Sequence, residues 1–252
     1  MKRVVVFGAG LVVRAHVRYL LEHGFEVTVA SRTVSKAEGI VDNHPNGTPL
    51  AFDITTDGDR LESIIADHDV AVSLLPWQYH PVVARACLNQ GKHMVTTSYV
   101  KDDMMALDGE ARAKGVILLN ELGVDPGIDH MTAMQVIHQV QAAGGKVTTF
   151  QSYCGGLPAP EANDNPFGYK FSWSPRGVLL AGLNNARYRD GGEIVEVPGG
   201  ELFDHVWKVP VEVEGEVVDF AGYPNRDSMP YIESYGIDPR DVMFRGTLRY
   251  QG

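Results

Sequence analysis

Short apolar runs alternate with helix-spaced segments through the first 120 residues, and this rhythm restricts the chain more than any other feature. Residues 4–7 form a continuous apolar run ending at Gly8, the pattern of a strand buried on both faces of a parallel sheet. Leu11, Val17, Leu20 and Leu21 then recur at helical spacing, and His23-Gly24 supplies a stop. The same reading predicts strands at 27–30, 50–52, 70–74, 93–96 and 116–119, the second of these ending at Asp53. Helices are predicted between them at 34–42, 57–66, 81–90 and 102–114. A strand, helix and parallel strand almost always make a right-handed crossover, so the series predicts an α/β, doubly wound sheet of Rossmann type.

Beyond Asn120 the rhythm changes. A helix is predicted at 127–143 and an alternating strand at 146–153, followed by a stretch from Gly155 to Gly168 dense in Gly, Pro and Asn. Residues 193–197, 206–213 and 216–220 read as antiparallel strands separated by glycine turns. The predicted division is a nucleotide-binding domain over 1–124 and an α+β substrate and dimerisation domain over 125–252.

Composition narrows the functions open to such a fold. The chain has 252 residues, 44% hydrophobic and 21% charged, with a formal net charge of −10 and no Lys/Arg block. Such a surface repels nucleic acid and anionic membrane, so neither is an expected partner. No run approaches the roughly 18 apolar residues of a membrane span. The apolar residues after Met1-Lys2-Arg3 are too few for a secretory h-region, and a cytoplasmic location is expected. Cys87 and Cys154, the two cysteines, make neither a disulfide framework nor a metal-ligand spacing, and no metal site is expected. Cys87 lies between Ala86 and Leu88 on a predicted helix and reads as core packing.

Gly8-Ala9-Gly10 stands between the first strand and the first helix, where glycines let backbone approach a pyrophosphate bound by the helix N-terminus. Leu11 and Val12 continue the turn, and Val13 replaces the third glycine of the usual fingerprint, which serves helix–strand packing. The end of the second strand selects the cofactor. An acid there would hold the ribose hydroxyls of NAD. The residues are instead Ser31-Arg32-Thr33, and a guanidinium with two hydroxyls suits the 2′-phosphate of NADP. Asp53 either bonds the adenine or caps the next helix, and Leu75 falls where a loop crosses the nicotinamide half of such sites. His80, which follows that loop, reads as a surface or capping residue rather than a catalyst.

Several motifs together resemble the NADP-dependent, glutamate-forming saccharopine dehydrogenases. They are GAGLVVRAH at the opening, ASRT at 30–33, VTTSYV at 95–100 and NELGVDPGIDHMTA at 120–133. With them belong YCGGLPAPEANDNPFGYKFSWSPRGVL at 153–179, NRDS at 225–228 and TLR at 247–249. The long Asn-Pro-rich segment is the most specific of these, and the matches run nearly from end to end. The resemblance implies oxidation of the secondary amine of saccharopine to an imine, then hydrolysis to 2-aminoadipate 6-semialdehyde and glutamate, or the reverse. It implies cofactor contacts from Gly8, Gly10, Leu11, Val12, Val13, Ser31, Arg32, Thr33, Asp53, Ile54 and Leu75, then Thr97, Ser98, Val124, Asp125, Pro126 and Ser174. For the substrate it implies Ser98, Tyr99, Arg226, Thr247, Leu248 and Arg249, the arginines matching carboxylates. Tyr99, Asp125 and Cys154 fall in motifs that line the family's reaction centre, without any one being marked as the general base. Each also has a plain reading: Asp125 as an N-cap, Cys154 as a buried thiol, Tyr99 as packing, Ser174 as a cap before Pro175. Family members run on well past the point where Arg249 is followed by three residues. That implies a fragment or an abbreviated second domain, with a homodimer expected where the domain is complete. A carboxynorspermidine dehydrogenase, which is similar to this group, and a non-catalytic NADP-binding module are the alternative functions.

Overall fold

A computed structural model describes residues 1–251. The chain divides into two compact units, Met1–Ile128 and Asp129–Gly252.

The first unit carries β1 (Arg3–Phe7), α1 (Val13–Glu22), β2 (Glu26–Ser31), α2 (Val34–Val41), β3 (Gly47–Ala51) and α3 (Leu61–Ala66). It continues with β4 (Val70–Ser73), α4 (His80–Gln90), β5 (His93–Thr96), α5 (Asp102–Met105), α6 (Asp108–Lys114) and β6 (Leu118–Leu119). All strand pairs are parallel, in the order β3-β2-β1-β4-β5-β6. Neighbouring residues of β1 enter different cores. Val4 and Val6 pack with Val13, Val17 and Leu21 of α1 and with Ala37, Ile40 and Val41 of α2. Val5 and Phe7 pack with Leu61, Ile64 and Ile65 of α3 and with Val83, Ala84 and Cys87 of α4. A strand buried on both faces has to be apolar throughout, as residues 4–7 are. The order reverses between β1 and β4, the place where open α/β sheets bind ligands beyond the strands' carboxyl ends.

Several predicted boundaries move. The buried stripe of α1 is Val13, Val17 and Leu21, while Leu11 is 65% exposed and lies outside the helix. Each buried member of that stripe contributes about 1.5–3 kcal/mol. β3 starts three residues earlier than predicted, ends one earlier and contains Pro49, which an edge strand tolerates because its missing N–H leaves no ladder bond broken. The predicted helix over 102–114 is two helices, separated by a tight turn in which Leu107 N–H donates to the Met104 carbonyl.

The second unit contains α7 (Ile128–Ala142), whose first residue closes the first unit, then β7 (Thr149–Cys154), α8 (Pro175–Ala181), β8 (Ala186–Asp190) and β9 (Glu193–Val197). After these come β10 (Trp207–Val213), β11 (Glu216–Pro224), α9 (Tyr231–Tyr235) and β12 (Val242–Arg249). The sheet runs β10-β11-β12-β8-β9, and β7 adds to β12 in parallel. β12 is the strand that joins the others, and its successive residues face opposite cores. Met243 packs with Ile137, Phe150, Tyr235 and Ile237, and Phe244 packs with Ala186, Tyr188, Val197 and Leu202. Strands β8 and β12 are additions to the sequence reading. Among the described residues no helix is long and apolar enough to cross a membrane.

Candidate functional site

In the first unit the glycine turn is fixed by the end of β4. Gly8 has φ +120°, its N–H donates to the Ala30 carbonyl at 2.9 Å, and a Cβ there would stand 2.8 Å from the Leu74 carbonyl oxygen. Only glycine fits that turn. Nothing lies within 4 Å of where a Gly10 side chain would begin. Val12, the N-cap of α1, makes no side-chain cap, and the first turn holds no acid; the Val13 N–H donates to the Gly10 carbonyl at 3.3 Å, and the positive end of the helix dipole is left open to an anion. Leu11 and Val12 are exposed at this turn, whereas Val13 is 0% exposed and fills the core. The Val13 side chain is therefore turned away from the surface of the turn.

β2 delivers Ser31-Arg32-Thr33. Ser31 is buried and its Oγ accepts from Thr33 N–H at 3.2 Å, which shapes the turn and leaves Arg32 exposed. Asp53 lies two residues past β3, and its carboxylate accepts from the Thr55 N–H at 3.0 Å and the Thr55 hydroxyl at 2.7 Å. Those bonds hold the Asp53 pKa below the usual carboxylate value, with the Arg32 guanidinium adding to the effect. This is the plain Asx-turn geometry. Ile54 and Leu75 are partly buried and pack against the core beneath.

Two loops carry the next group. Leu122 N–H donates to the Thr96 carbonyl, Glu121 N–H to the Ser98 carbonyl, and Val100 N–H to the Glu121 side chain at 2.9 Å. Gly123 backs directly onto Thr97, and Gly123 N–H donates to the Pro126 carbonyl at 2.9 Å. The segment Val124-Asp125-Pro126 is thus held against 97–100, and the Tyr99 hydroxyl donates to Asp125 Oδ1 at 2.5 Å. Residues 26 positions apart in sequence become one phenol–carboxylate pair.

In the second unit β7 and β12 bring the remaining candidates together. Cys154 and Thr247 are register partners. A Cβ on Gly155 would stand 2.4 Å from the Leu248 carbonyl oxygen, so the chain turns off β7 against β12 with no room for a side chain. The Tyr223 hydroxyl is hydrogen-bonded to Thr247. Arg249 donates to the Leu248 carbonyl at 2.8 Å, and its guanidinium lies over Tyr169 and Tyr223 at 5.0 and 5.9 Å from the ring centres. Burial raises the Tyr223 pKa, and the Arg249 charge opposes that rise. The Asn-Pro-rich stretch is tied to the same strand end, since the Tyr250 hydroxyl donates to the Pro158 carbonyl at 2.9 Å.

Arg226 stands elsewhere. It is exposed, has φ +56°, and its carbonyl accepts from Arg187 N–H, two residues beyond the end of β11. Arg249 pairs with Ala221 in β11, five residues earlier. Ser174 is the N-cap of α8, its Oγ accepting from Gly177 N–H at 3.1 Å, so the capping role is the one this geometry displays. Cys87 is buried in the core, which pushes its thiol up to about 12 and leaves it unreactive.

Sequence reasoning missed three features. Tyr169 and Tyr223 flank Arg249, although Tyr169 lies within a quoted motif. His80 is buried, not at the surface, and burial holds it down to about 4. Arg245, 3% exposed, pairs with Asp129 at 2.6 Å and lies over the Tyr231 ring. Its N–H donates to Ser228 Oγ at 2.9 Å, so part of the NRDS motif supports the sheet.

Comparison with known proteins follows this geometry along the whole chain. A family described as the saccharopine dehydrogenase NADP binding domain matches residues 4–119, and one described as the saccharopine dehydrogenase C-terminal domain matches residues 123–252. The saccharopine dehydrogenase [NADP(+), L-glutamate-forming] of Pyricularia oryzae is 47% identical over 251 residues, covering 100% of this chain and 55% of the relative. The mitochondrial alpha-aminoadipic semialdehyde synthase of Bos taurus is 40% identical over 253 residues, covering 100% of this chain and 27% of that one. Among solved structures, the apo saccharopine dehydrogenase (L-Glu forming) of Saccharomyces cerevisiae superposes with a TM-score of 0.88 at 40% identity, over 100% of this chain and 56% of that chain. The chain thus spans about half the length of the glutamate-forming relatives it matches.

Proposed function

The chain belongs to the saccharopine dehydrogenase family, and from that premise we propose that it interconverts saccharopine with 2-aminoadipate 6-semialdehyde and glutamate, using NADP. The observation that carries the reading is the end of β12, where a cation held between two tyrosines stands beside a hydroxyl and a thiol. Saccharopine is a secondary amine with three carboxylates, and a guanidinium kept in place by aromatic rings is suited to one of them.

The residues present fit NADP. Gly8 and Gly10 leave room for a pyrophosphate at the uncapped start of α1, and Arg32 with Ser31 and Thr33 offers donors to a 2′-phosphate with no competing acid on the turn. When bound, the cofactor supplies the hydride chemistry. The chain supplies the rest. The Tyr99 hydroxyl gives its hydrogen to Asp125, so the phenol oxygen offers lone pairs to an amine N–H, with carboxylate charge behind it. Thr247, the Leu248 backbone and Arg249 orient one end of the substrate. Arg226, at the other end of the β11–β12 pairing, suits a different carboxylate. Cys154 stands beside Thr247 as a small polarisable wall that can also move a proton through its thiol.

The test is an assay of the purified chain with NADP, following the absorbance of the reduced nicotinamide. Saccharopine is expected to drive reduction and carboxynorspermidine to give none. Reduction with carboxynorspermidine alone, or tight NADPH binding with no turnover of either amine, overturns the proposal.

A further inference from the structure

His80 opens α4 with a side chain 3% exposed, and three hydroxyl groups converge on its ring. Ser73 Oγ lies 2.8 Å from Nδ1, Ser98 Oγ 2.8 Å from Nε2, and Thr96 Oγ1 3.2 Å from Nε2. Counting protons fixes the direction of each bond. The Thr96 hydroxyl donates to the Ser73 carbonyl at 2.8 Å, which uses its one hydrogen, so toward Nε2 it can only accept. Nε2 therefore carries the ring hydrogen, and Nδ1 accepts from the Ser73 hydroxyl. The ring is neutral near pH 7, because burial holds its pKa down to about 4 against the weaker opposing pull of Asp103.

The consequence falls on Ser98. Its oxygen accepts from Nε2–H, so its own hydrogen remains to be given to a ligand, and a hydroxyl that accepts one bond donates the next more strongly. We propose that His80 is a positioning residue that sets the Ser98 hydroxyl as a donor to a substrate carboxylate oxygen. This rests on the saccharopine reading for the identity of the acceptor, and on the ring geometry alone for the state of Ser98. The arrangement also explains why a histidine is buried among Ser73, Thr96 and Ser98, two of which are themselves fully buried. An apolar side chain there would leave the Ser73 and Ser98 hydroxyls to find other partners.

Two measurements on the 252-residue chain test the proposal. Ring ¹⁵N shifts of His80 near neutral pH report the tautomer without any turnover. An Nε2-protonated, neutral ring is expected; an Nδ1-protonated or cationic ring overturns the assignment. Kinetics with saccharopine and NADP then read the effect on the ligand. H80L is expected to raise the saccharopine KM about tenfold while kcat and the NADP KM change less than about threefold. H80Q, whose amide N–H replaces Nε2–H, is expected to recover most of the loss, and H80L in an S98A background to add nothing further. Additive losses in the double variant, equal losses in H80L and H80Q, or an unchanged KM in folded H80L overturn the proposal. A wild-type chain that fails to turn over saccharopine defeats the function reading, and the ring tautomer alone then upholds or overturns the setting of Ser98.

Discussion

In the proposed site the choice of cofactor turns on Arg32. It sits exposed at the end of β2 on a turn set by Ser31 Oγ, and the nearby Asp53 carboxylate is already engaged by Thr55. The guanidinium is therefore available to a 2′-phosphate that NADPH has and NADH lacks. Arg32→Ala is expected to weaken NADPH about 30-fold, the worth of a charge-assisted pair, and NADH less than about threefold. Fluorescence titration with both nucleotides measures this, and equal losses would remove the argument for NADP. His80 makes a different kind of prediction, about acid. Its folded pKa, about 4, lies below the 6.5 of the free ring, so between those values the unfolded chain binds the extra proton. The stability tied to its neutral state is fully present above pH 6.5 and is lost as pH falls through about 4. The difference amounts to about 3 kcal/mol. Urea midpoints of wild type and H80Q between pH 7 and pH 4 would show it as a steeper loss in wild type; parallel losses would mean that the ring is not held neutral.

Elements show why part of the fold was legible in the sequence. β1, β2, β4 and β5 are buried on both faces, so their apolar runs betray them without any knowledge of what packs against them. β3 and β6 lie at the sheet's edges, where that demand lapses, and there the predicted spans were displaced or too long. β12 was illegible as a strand for a stronger reason. Its run VMFRGTLR interrupts the apolar residues with Arg245 and Gly246. Arg245 is tolerated because Asp129, 116 residues away, pairs with it, and Gly246 leaves room for the Phe244 and Tyr153 rings, which a Cβ would meet at 2.5 and 2.8 Å. Asp129 and Tyr153 are both distant in sequence, so no window of sequence could reveal their part in this strand. The same distinction governs the site. Gly8, Gly10 and Arg32 follow from position within one βαβ unit, while the Tyr99–Asp125 pair, the tyrosines around Arg249 and the hydroxyls around His80 exist only through loop and strand pairing.

For the molecule as a whole, the two units draw on separate cores. The clusters around β1 and its helices come entirely from residues before 128, and those around β12 come entirely from residues after 129. A core that closes on itself is the requirement for an independently cooperative unit. We infer that the chain unfolds in two steps, the first unit and the second each with its own midpoint. The cofactor turns this into a directional test. The proposed cofactor contacts at the glycine turn, the Arg32 turn and the 97–100 loop all belong to the first unit, so NADPH at 100 times its dissociation constant should stabilise that unit by about 2.7 kcal/mol. Calorimetry would show the effect as one transition moving up with NADPH while the other stays in place. The two are assigned by Gly155→Ala, which should lower only the second unit's midpoint because the new methyl would meet the Leu248 carbonyl. A single transition that both NADPH and Gly155→Ala move would mean that the units fold as one, and that the nucleotide's binding energy is shared across the chain.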